Sequence, residues 1–266
     1  MKKNWTNITI FLFILPFSVS FSQKIIFLDD YRSKTPQIYR DEVLNYKISY
    51  GKEKKKGGIL LAGHAEFSLM SSKTRNDSFI INASGRTTRL FSVFFNISHV
   101  YQSLVNYYLE PVQFSMNIRQ GNYSKQDLVS FNNDSLQIIS KVDTIFNSAI
   151  INDMLSVFYL LRNLPHSEIE YVDTIKFQYY YNENIYSSHI INLGHELLRL
   201  KFGRIQTTKL LIKLEGGRYF RDSTYATLWV SNDEYHIPIK LELPVLRGAI
   251  YVKLLSKKNT HLTVFK

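Results

Sequence analysis

The chain has 266 residues, of which 45% are hydrophobic, and it carries a formal net charge of +11 without a single cysteine. This length fits one large β domain or two small domains, and the apolar fraction suffices for a sizeable core. Without a thiol, disulfides, cysteine-ligated zinc, iron–sulfur clusters and a cysteine nucleophile are excluded. We also expect that the protein is not a lipoprotein, because the lipid of a lipoprotein is attached to a cysteine.

The first 22 residues predict a secretory signal peptide. Lys2 and Lys3 give a basic start, residues 8–17 are almost wholly apolar, and small residues follow up to Ser22. This order of basic, apolar and small residues is typical of a cleaved leader. We expect cleavage after Ser22 or Ser20, which leaves residues 23–266 as a single β-rich periplasmic domain. An uncleaved N-terminal anchor is the alternative.

The positive charge has two interpretations. For an exported protein, an anionic lipid surface or an acidic polysaccharide is a better partner than nucleic acid, and a peripheral membrane contact follows from the first. The alternative is that the charge only maintains solubility, because the basic residues are scattered along the chain. The one dense basic run, residues 52–56, precedes Gly57 and Gly58 and is typical of a solvated hairpin tip.

Short strand-like runs separated by turn signals follow an irregular arm over residues 24–41. Residues 44–50 alternate apolar and polar side chains, and residues 209–214 are apolar enough for a strand buried on both faces. Pro238 and Pro244 indicate that their strand lies at a sheet edge. We therefore predict an all-β-dominated fold with one firm helix: an antiparallel meander curved into a half-open or closed β-barrel around a buried helix.

Residues 150–161 predict that helix. Asn152 could cap its start, Asp153 places negative charge near the N-terminal end, and Arg162 favours the C-terminal end. Pro165 forces the preceding residue out of helical geometry and ends the element. The helix is apolar on nearly all sides, which predicts burial on most of its surface.

Seven stretches in fixed order are distinctive. The most specific is NDMLSVFYLLR at residues 152–162. The others lie at residues 44–51, 62–65, 85–87, 109–114, 229–233 and 237–240. Together they resemble an exported bacterial family catalogued as domain of unknown function 3108. The resemblance implies an antiparallel half-open barrel with a helical insertion, loosely similar to the periplasmic lipoprotein-carrier fold. It brings no catalytic residues with it.

The sequence identifies no catalytic, cofactor-binding or metal-ligating residues. His195 and Glu196 begin like a zinc-protease motif, but Arg199 stands where its second histidine should be. Ser156 lies in an apolar helix without a nucleophile elbow, so its expected role is close helix packing. Six positions remain as candidates for structural or cleft-lining roles: Arg86, Asp153, Ser156, Tyr159, Arg162 and Trp229.

Two of these candidates suggest pairings. Asp153 and Arg162 are nine residues apart, on opposite sides of a straight helix, and should not touch each other. Asp153 could instead meet Arg86 or Arg89 across the fold, and a buried pair of this kind is more often structural than catalytic.

Four functional hypotheses follow. The first is a non-enzymatic envelope protein with a hydrophobic concavity for a lipid, a lipoprotein acyl chain or a partner protein of the envelope. The second is a structural or scaffolding module with a filled core. The third is a small outer-membrane barrel. The fourth is a cell-wall hydrolase, for which no paired carboxylates are recognisable.

Overall fold

The computed structural model describes residues 23–32, 41–51, 60–73, 77–213, 224–245 and 248–265. The expected signal peptide and the expected basic hairpin tip lie outside these residues and stay predictions. Two α-helices, α1 (Met154–Arg162) and α2 (His166–Tyr171), accompany a large sheet. The strands are β1 Ile25–Phe27, β2 Glu42–Gly51, β3 Leu60–Ser71, β4 Ser78–Thr87, β5 Ile97–Asn106, β6 Pro111–Gln120, β7 Tyr123–Asn132, β8 Gln137–Ile139, β9 Thr144–Phe146, β10 Asn152–Asp153, β11 Thr174–Tyr181, β12 Asn184–Leu200, β13 Gly203–Lys213, β14 Tyr225–Ser231, β15 Pro238–Val245 and β16 Gly248–Lys258.

The described strands form one continuous sheet in two meanders. Strands β2 to β9 pair in chain order, as do β11 to β16, and the antiparallel pair of β16 with β2 joins the two halves. At one end, β1 and β10 both pair in parallel with β11, and at the other end lies β9. These ends are not hydrogen-bonded to each other as strands. The predicted all-β meander is confirmed in its half-open form, while the closed alternative is wrong.

Side-chain contacts span the gap between the two ends of the sheet, where the strands are not paired. The curl of the sheet brings β7 close to β11, where the rings of Phe131 and Tyr180 meet edge to face with centroids 6.0 Å apart. Above them, the ammonium group of Lys125 donates to the side-chain oxygen of Asn182 in the β11–β12 turn. Aromatic edge-to-face pairs add a modest stabilisation beyond the area they bury. The barrel-like shape therefore depends on side-chain packing at this seam.

Helix α1 lies on the concave side of the sheet, as the apolar pattern predicts. Leu155, Val157, Tyr159 and Leu160 are buried, and the helix contacts β4, β5 and β11. Each large apolar side chain removed from water in this way stabilises the fold by about 1.5–3 kcal/mol. Three clusters of buried apolar residues fill the interior around the helix.

Three local predictions are corrected. The strand that contains Pro238 and Pro244 is β15, which pairs with both β14 and β16 and is not an edge strand. The prolines are tolerated because Pro238 is the first residue of the strand, beside a register irregularity, and Pro244 lies close to its end. In β13, only Leu210 of residues 209–213 is fully buried, so that strand is not buried on both faces. The arm before the domain is partly regular, since it contains β1 and a 3-10 turn at Leu28–Tyr31.

Candidate functional site

The start of α1 is built on a buried carboxylate. The side chain of Asp153 accepts hydrogen bonds from the backbone N–H groups of Leu155 (2.7 Å) and Ser156 (2.9 Å), and Ser156 Oγ accepts from the Asp153 N–H (2.9 Å). The hydroxyl of Ser103 in β5 donates to the other carboxylate oxygen of Asp153. Burial raises the pKa of Asp153, while these hydrogen bonds, that from Ser103 first, oppose the increase.

Two expectations for this region are corrected. Asp153 caps the helix rather than Asn152, which belongs to β10 and accepts a hydrogen bond from Arg32 at 3.0 Å. Ser156 is fully buried, and beyond the packing role expected for it, its hydroxyl satisfies a backbone donor and completes a reciprocal capping box. Neither Arg86 nor Arg89 meets Asp153, since both arginines are exposed while Asp153 is fully buried.

The far end of α1 carries a buried ion pair. The guanidinium of Arg162 donates to both carboxylate oxygens of Glu42, at 2.6 and 2.9 Å, and the Tyr159 hydroxyl donates to the same carboxylate at 3.2 Å. Glu42 is 0% and Arg162 is 4% exposed. Burial alone would lower the pKa of Arg162, but the hydrogen bonds and charge of Glu42 raise it. Arg162 and Asp153 thus have separate partners, which agrees with their predicted separation.

A buried histidine lies against the same helix end. His236 is 1% exposed, and its Nδ1–H donates to the carbonyl oxygen of Arg162 at 3.1 Å. Its Nε2 has no hydrogen-bond partner in the described part of the chain, and the His166 ring lies 5.8 Å away. Burial lowers the pKa of His236 to about 4. His236 is therefore neutral at pH 7.

The interior polar network is buried. Glu42, Asp153, Ser156 and Arg162 are buried and satisfied by one another or by backbone groups. Two cavities in the described part of the chain are lined by other residues. Such a network fixes the position of α1 inside the sheet, which is a structural role.

The outer face of the sheet carries a row of cations. The strand register places nine outward side chains side by side across β13, β14, β15, β16, β2, β3, β4, β5 and β6. We call this row the basic ladder: Lys209, Trp229, Lys240, Lys253, Lys47, His64, Arg86, Ser98 and Arg119. Cations that are scattered in the sequence are thereby collected into one line.

The ladder includes two of the six candidate positions. Arg86 is exposed near one end, and Trp229, which is 4% exposed, lies near the other. The ammonium group of Lys240 lies 3.9 Å and that of Lys209 5.4 Å from the centroid of the Trp229 ring. The Trp229 indole N–H donates to Glu196 at 2.9 Å, and this hydrogen bond is the main reason that the pKa of Glu196 is lowered. Trp229 thus acts as a platform for two lysines.

An apolar patch lies at the rim of the sheet, in the loop between β4 and β5. Leu90, Val93, Phe94 and Phe95 are 83, 81, 75 and 61% exposed. We call these four residues the rim patch. The first residues of β3, Leu60 and Leu61, lie beside this loop and are also exposed.

Backbone and side-chain hydrogen bonds hold this loop in one conformation. Thr88 donates its N–H to the carbonyl of Ala62 (2.8 Å) and its hydroxyl to that of Leu61 (3.3 Å), and it accepts from the Phe91 N–H. The ring of Phe91 stacks on that of Phe95, with centroids 5.9 Å apart. The exposed side chains are therefore presented by an ordered support.

Two cavities open near the β5–β8 part of the sheet. The larger, of about 520 Å³, is lined by six polar and two apolar residues: Asn106, Glu110, Ser130, Phe131, Asn132, Asn133, Asp134 and Ile139. The second, of about 250 Å³, lies between β5, β6 and β7. No group of histidine and acidic side chains among the described residues could hold a metal ion. No helix in that part of the chain has the length and apolar character to cross a membrane.

Sequence reasoning missed Glu42, Ser103 and His236, which complete the interior network. A lone glutamate at the start of an alternating strand gives no sign of burial, and its partner is 120 residues away. It also missed the basic ladder, whose members follow from register alone. The rim patch had a readable signal, because residues 90–95 place five large apolar residues in a short turn between two strands.

Comparison with known families places the chain. The family described as "Protein of unknown function (DUF3108)" matches residues 45–254, which is most of the sequence. The chain belongs to the DUF3108 family. The suspected resemblance is thereby confirmed. Functionally curated proteins give no significant match to this DUF3108 chain.

A solved structure shares the fold of the DUF3108 chain. It is the crystal structure of a beta-barrel-like protein of the domain of unknown function DUF1849 from Brucella abortus. The TM-score is 0.55 at 7% sequence identity, and the match covers 83% of this chain and 98% of that chain. At this identity the similarity concerns the fold alone, and it agrees with the barrel-like, half-open sheet.

Proposed function

We propose that this chain is an exported, non-enzymatic envelope protein that docks peripherally on an anionic lipid surface through the rim patch. The observation that carries the proposal is the exposure of Leu90, Val93 and Phe94 on an ordered loop. Large apolar side chains that cluster in contact with water mark interaction sites. Aromatic and aliphatic side chains beside cations suit the boundary between headgroups and acyl chains.

Charge complementarity supports a membrane rather than a protein as the occupant of the rim patch. Arg89 lies in the loop between β4 and β5, and Arg86 is the next-to-last residue of β4. Both side chains are exposed. The whole chain carries a net charge of +11. Each basic residue near an anionic lipid surface contributes on the order of 1 kcal/mol of attraction. A patch of apolar residues with arginines at its base can therefore combine insertion with electrostatic attraction.

The interior supports a scaffold more than an enclosed ligand site. Helix α1 occupies the concave side of the sheet, and the Glu42–Arg162 pair ties it in place. An acyl chain within the concavity would have to displace this helix and leave a buried charge unpaired. The filled core thus favours the second hypothesis for the interior, and the lipid contact belongs to the outer rim.

The test is co-sedimentation of the purified protein with lipid vesicles. We expect binding to vesicles rich in phosphatidylglycerol, weaker binding at high salt, and little binding to phosphatidylcholine alone. The double variant Phe94→Ser/Phe95→Ser should reduce partitioning roughly tenfold or more, because two exposed rings no longer insert.

A matched control separates insertion from general surface hydrophobicity. Val142 lies just before β9 and Phe146 is the last residue of that strand. They are 74 and 71% exposed and lie outside the rim patch. The variant Val142→Ser/Phe146→Ser should bind vesicles as the unmodified protein does. Equal binding by the rim variant and the unmodified protein would refute the proposal. Native mass spectrometry that finds a co-purified lipid retained by the rim variant would favour the enclosed site instead.

A further inference from the structure

The basic ladder is a continuous surface on the convex side of the sheet. Side chains alternate between the two faces of a strand, and the neighbours of ladder residues, such as Tyr46 and Ile118, lie in the core clusters. Lys47, His64, Arg86 and Arg119 are correspondingly exposed. With strands about 4.8 Å apart, the nine positions span roughly 38 Å along the curved surface.

The row is short of negative charge. Lys209 pairs with Glu196 at 3.5 Å, and Lys240 pairs with Glu242 at 3.2 Å. Lys253, Lys47, Arg86 and Arg119 form no ion pair with any carboxylate in the described ranges. The unpaired cations are therefore available to an external anion.

The arrangement is unfavourable for the isolated fold. Lys240, Lys253 and Lys47 are directly opposite one another on three neighbouring strands. Like charges in such cross-strand positions destabilise a sheet. Partial burial lowers the pKa of Lys253, and the charges of Lys240 and Lys47 lower it further. A bound anion would relieve this repulsion.

We infer that the basic ladder binds a linear acidic polysaccharide that runs across the strands. The line of cations is long and narrow, and it follows the outward curvature of a half-open barrel. A flexible chain with one anionic group per repeat can follow such a curve and meet successive cations. A planar bilayer would touch only a few neighbouring strands.

The same surface is poorly suited to single-stranded nucleic acid. Binding of that kind relies on aromatic side chains on which bases stack. The aromatic residue in the ladder is Trp229, whose ring is 4% exposed and covered by Lys240 and Lys209. The ladder therefore offers charge without a stacking platform. Apart from Arg86, the ladder residues lie outside the membrane contact proposed above, and the inference does not depend on that contact.

The test measures binding of polygalacturonate, a linear polymer with one carboxylate per sugar, to the purified protein by isothermal titration calorimetry. We expect binding that weakens as salt is raised, and no binding of neutral dextran. The triple variant Lys47→Gln/Lys253→Gln/Arg119→Gln should bind at least tenfold more weakly. The slope of log K against log salt concentration should be smaller in magnitude by roughly two to three, since three cations no longer displace counterions.

A control with the same loss of charge keeps the test specific. Lys141, Lys201 and Lys258 are exposed and lie off the ladder. The variant Lys141→Gln/Lys201→Gln/Lys258→Gln should retain most of the affinity. Both triple variants should also unfold at a urea midpoint no lower than that of the unmodified protein, which excludes misfolding as the cause of a loss.

Several results would overturn the inference. Equal losses in the two triple variants would mean that net charge alone attracts the polymer. Tighter binding of oligo-deoxythymidylate than of polygalacturonate would assign the ladder to nucleic acid. Loss of vesicle binding in the ladder variant, with polygalacturonate binding intact, would make the ladder part of the membrane contact. If the rim variant loses vesicle binding but keeps polygalacturonate binding, both proposals stand separately.

Discussion

At the scale of single residues, His236 is the group with the clearest pH dependence. Its left-handed backbone conformation, with φ of 42°, and its contact with the Arg162 carbonyl hold the ring in a buried position. Protonation would place a charge at Nε2, which has no acceptor among the described residues, beside His166 and Arg162. Burial is the main cause of the lowered pKa.

This lowered pKa predicts a loss of stability in acid. Above pH 6.5 His236 is neutral in both the folded and the unfolded state, and its contribution to the free energy of unfolding is fully present. Between about pH 6.5 and pH 4 the unfolded chain binds the proton first, so the free energy of unfolding falls by on the order of 3 kcal/mol. The variant His236→Asn, which tolerates a positive φ, should show a shallower fall between pH 7 and pH 4.5 in urea titrations.

The exposed His261→Asn variant provides the control for His236. It should follow the pH dependence of the unmodified protein, because His261 is accessible to water. Identical pH profiles for His236→Asn and the unmodified protein would show that another group controls the acid sensitivity.

At the scale of elements, the N-terminus of α1 depends on one carboxylate shared between the helix and β5. Asp153→Ala should lower the free energy of unfolding by roughly 2–4 kcal/mol, since it removes the cap and leaves the Ser103 hydroxyl without its acceptor. Ser156→Ala removes only the reciprocal half of the capping box and should cost about 1–2 kcal/mol. Urea unfolding followed by far-UV circular dichroism measures both.

The order of the two losses is the informative result. Equal losses for Asp153→Ala and Ser156→Ala would mean that the bond to Ser103 contributes nothing. A loss in Asp153→Ala that Ser103→Ala reproduces in full would assign the whole effect to the sheet contact rather than the cap.

At the scale of the whole molecule, the Glu42–Arg162 pair fastens the helix to the strand that begins the first meander. Glu42→Gln should destabilise the protein by about 3–5 kcal/mol, because it leaves a buried guanidinium without its counter-charge. The double variant Glu42→Leu/Arg162→Met should lose less free energy of unfolding than the single variant, since it removes both charges. Equilibrium urea unfolding distinguishes the two results.

A surface glutamate serves as the control for the buried pair. Glu66→Gln in β3 changes an exposed carboxylate and should stay within about 0.5 kcal/mol of the unmodified protein. If Glu42→Gln lowered the free energy of unfolding as little as Glu66→Gln does, the Glu42–Arg162 pair would not hold the helix in place.

The sequence predicts the elements well where the signal is local. Residues 44–50 alternate and form β2, and the run of apolar residues after Asp153 forms a buried helix. The edge position expected for Pro238 is wrong, because proline restricts its own strand position but not which strands flank it. The closed-barrel alternative also fails for a non-local reason, since closure depends on pairing between strands far apart in the chain.

In the candidate site, too, local patterns identify individual residues but not their partners. Asp153, Ser156, Tyr159 and Arg162 can be selected from the helix pattern, yet their partners Ser103 and Glu42 lie 50 and 120 residues away. Arg86 and Trp229 can be selected individually, but nothing local indicates that they belong to one row. A shift of one residue in any strand pair would move its side chains to the other face.

By itself, the sequence determined the fold class, the buried helix and the absence of thiol chemistry, because these depend on composition and short-range periodicity. The family followed from the resemblance of specific stretches in fixed order. The tertiary structure decided that the sheet stays open, that the interior network is structural, and that scattered cations form one ladder. These properties depend on strand register and on contacts between residues far apart in the chain, which free-energy differences over the whole fold select.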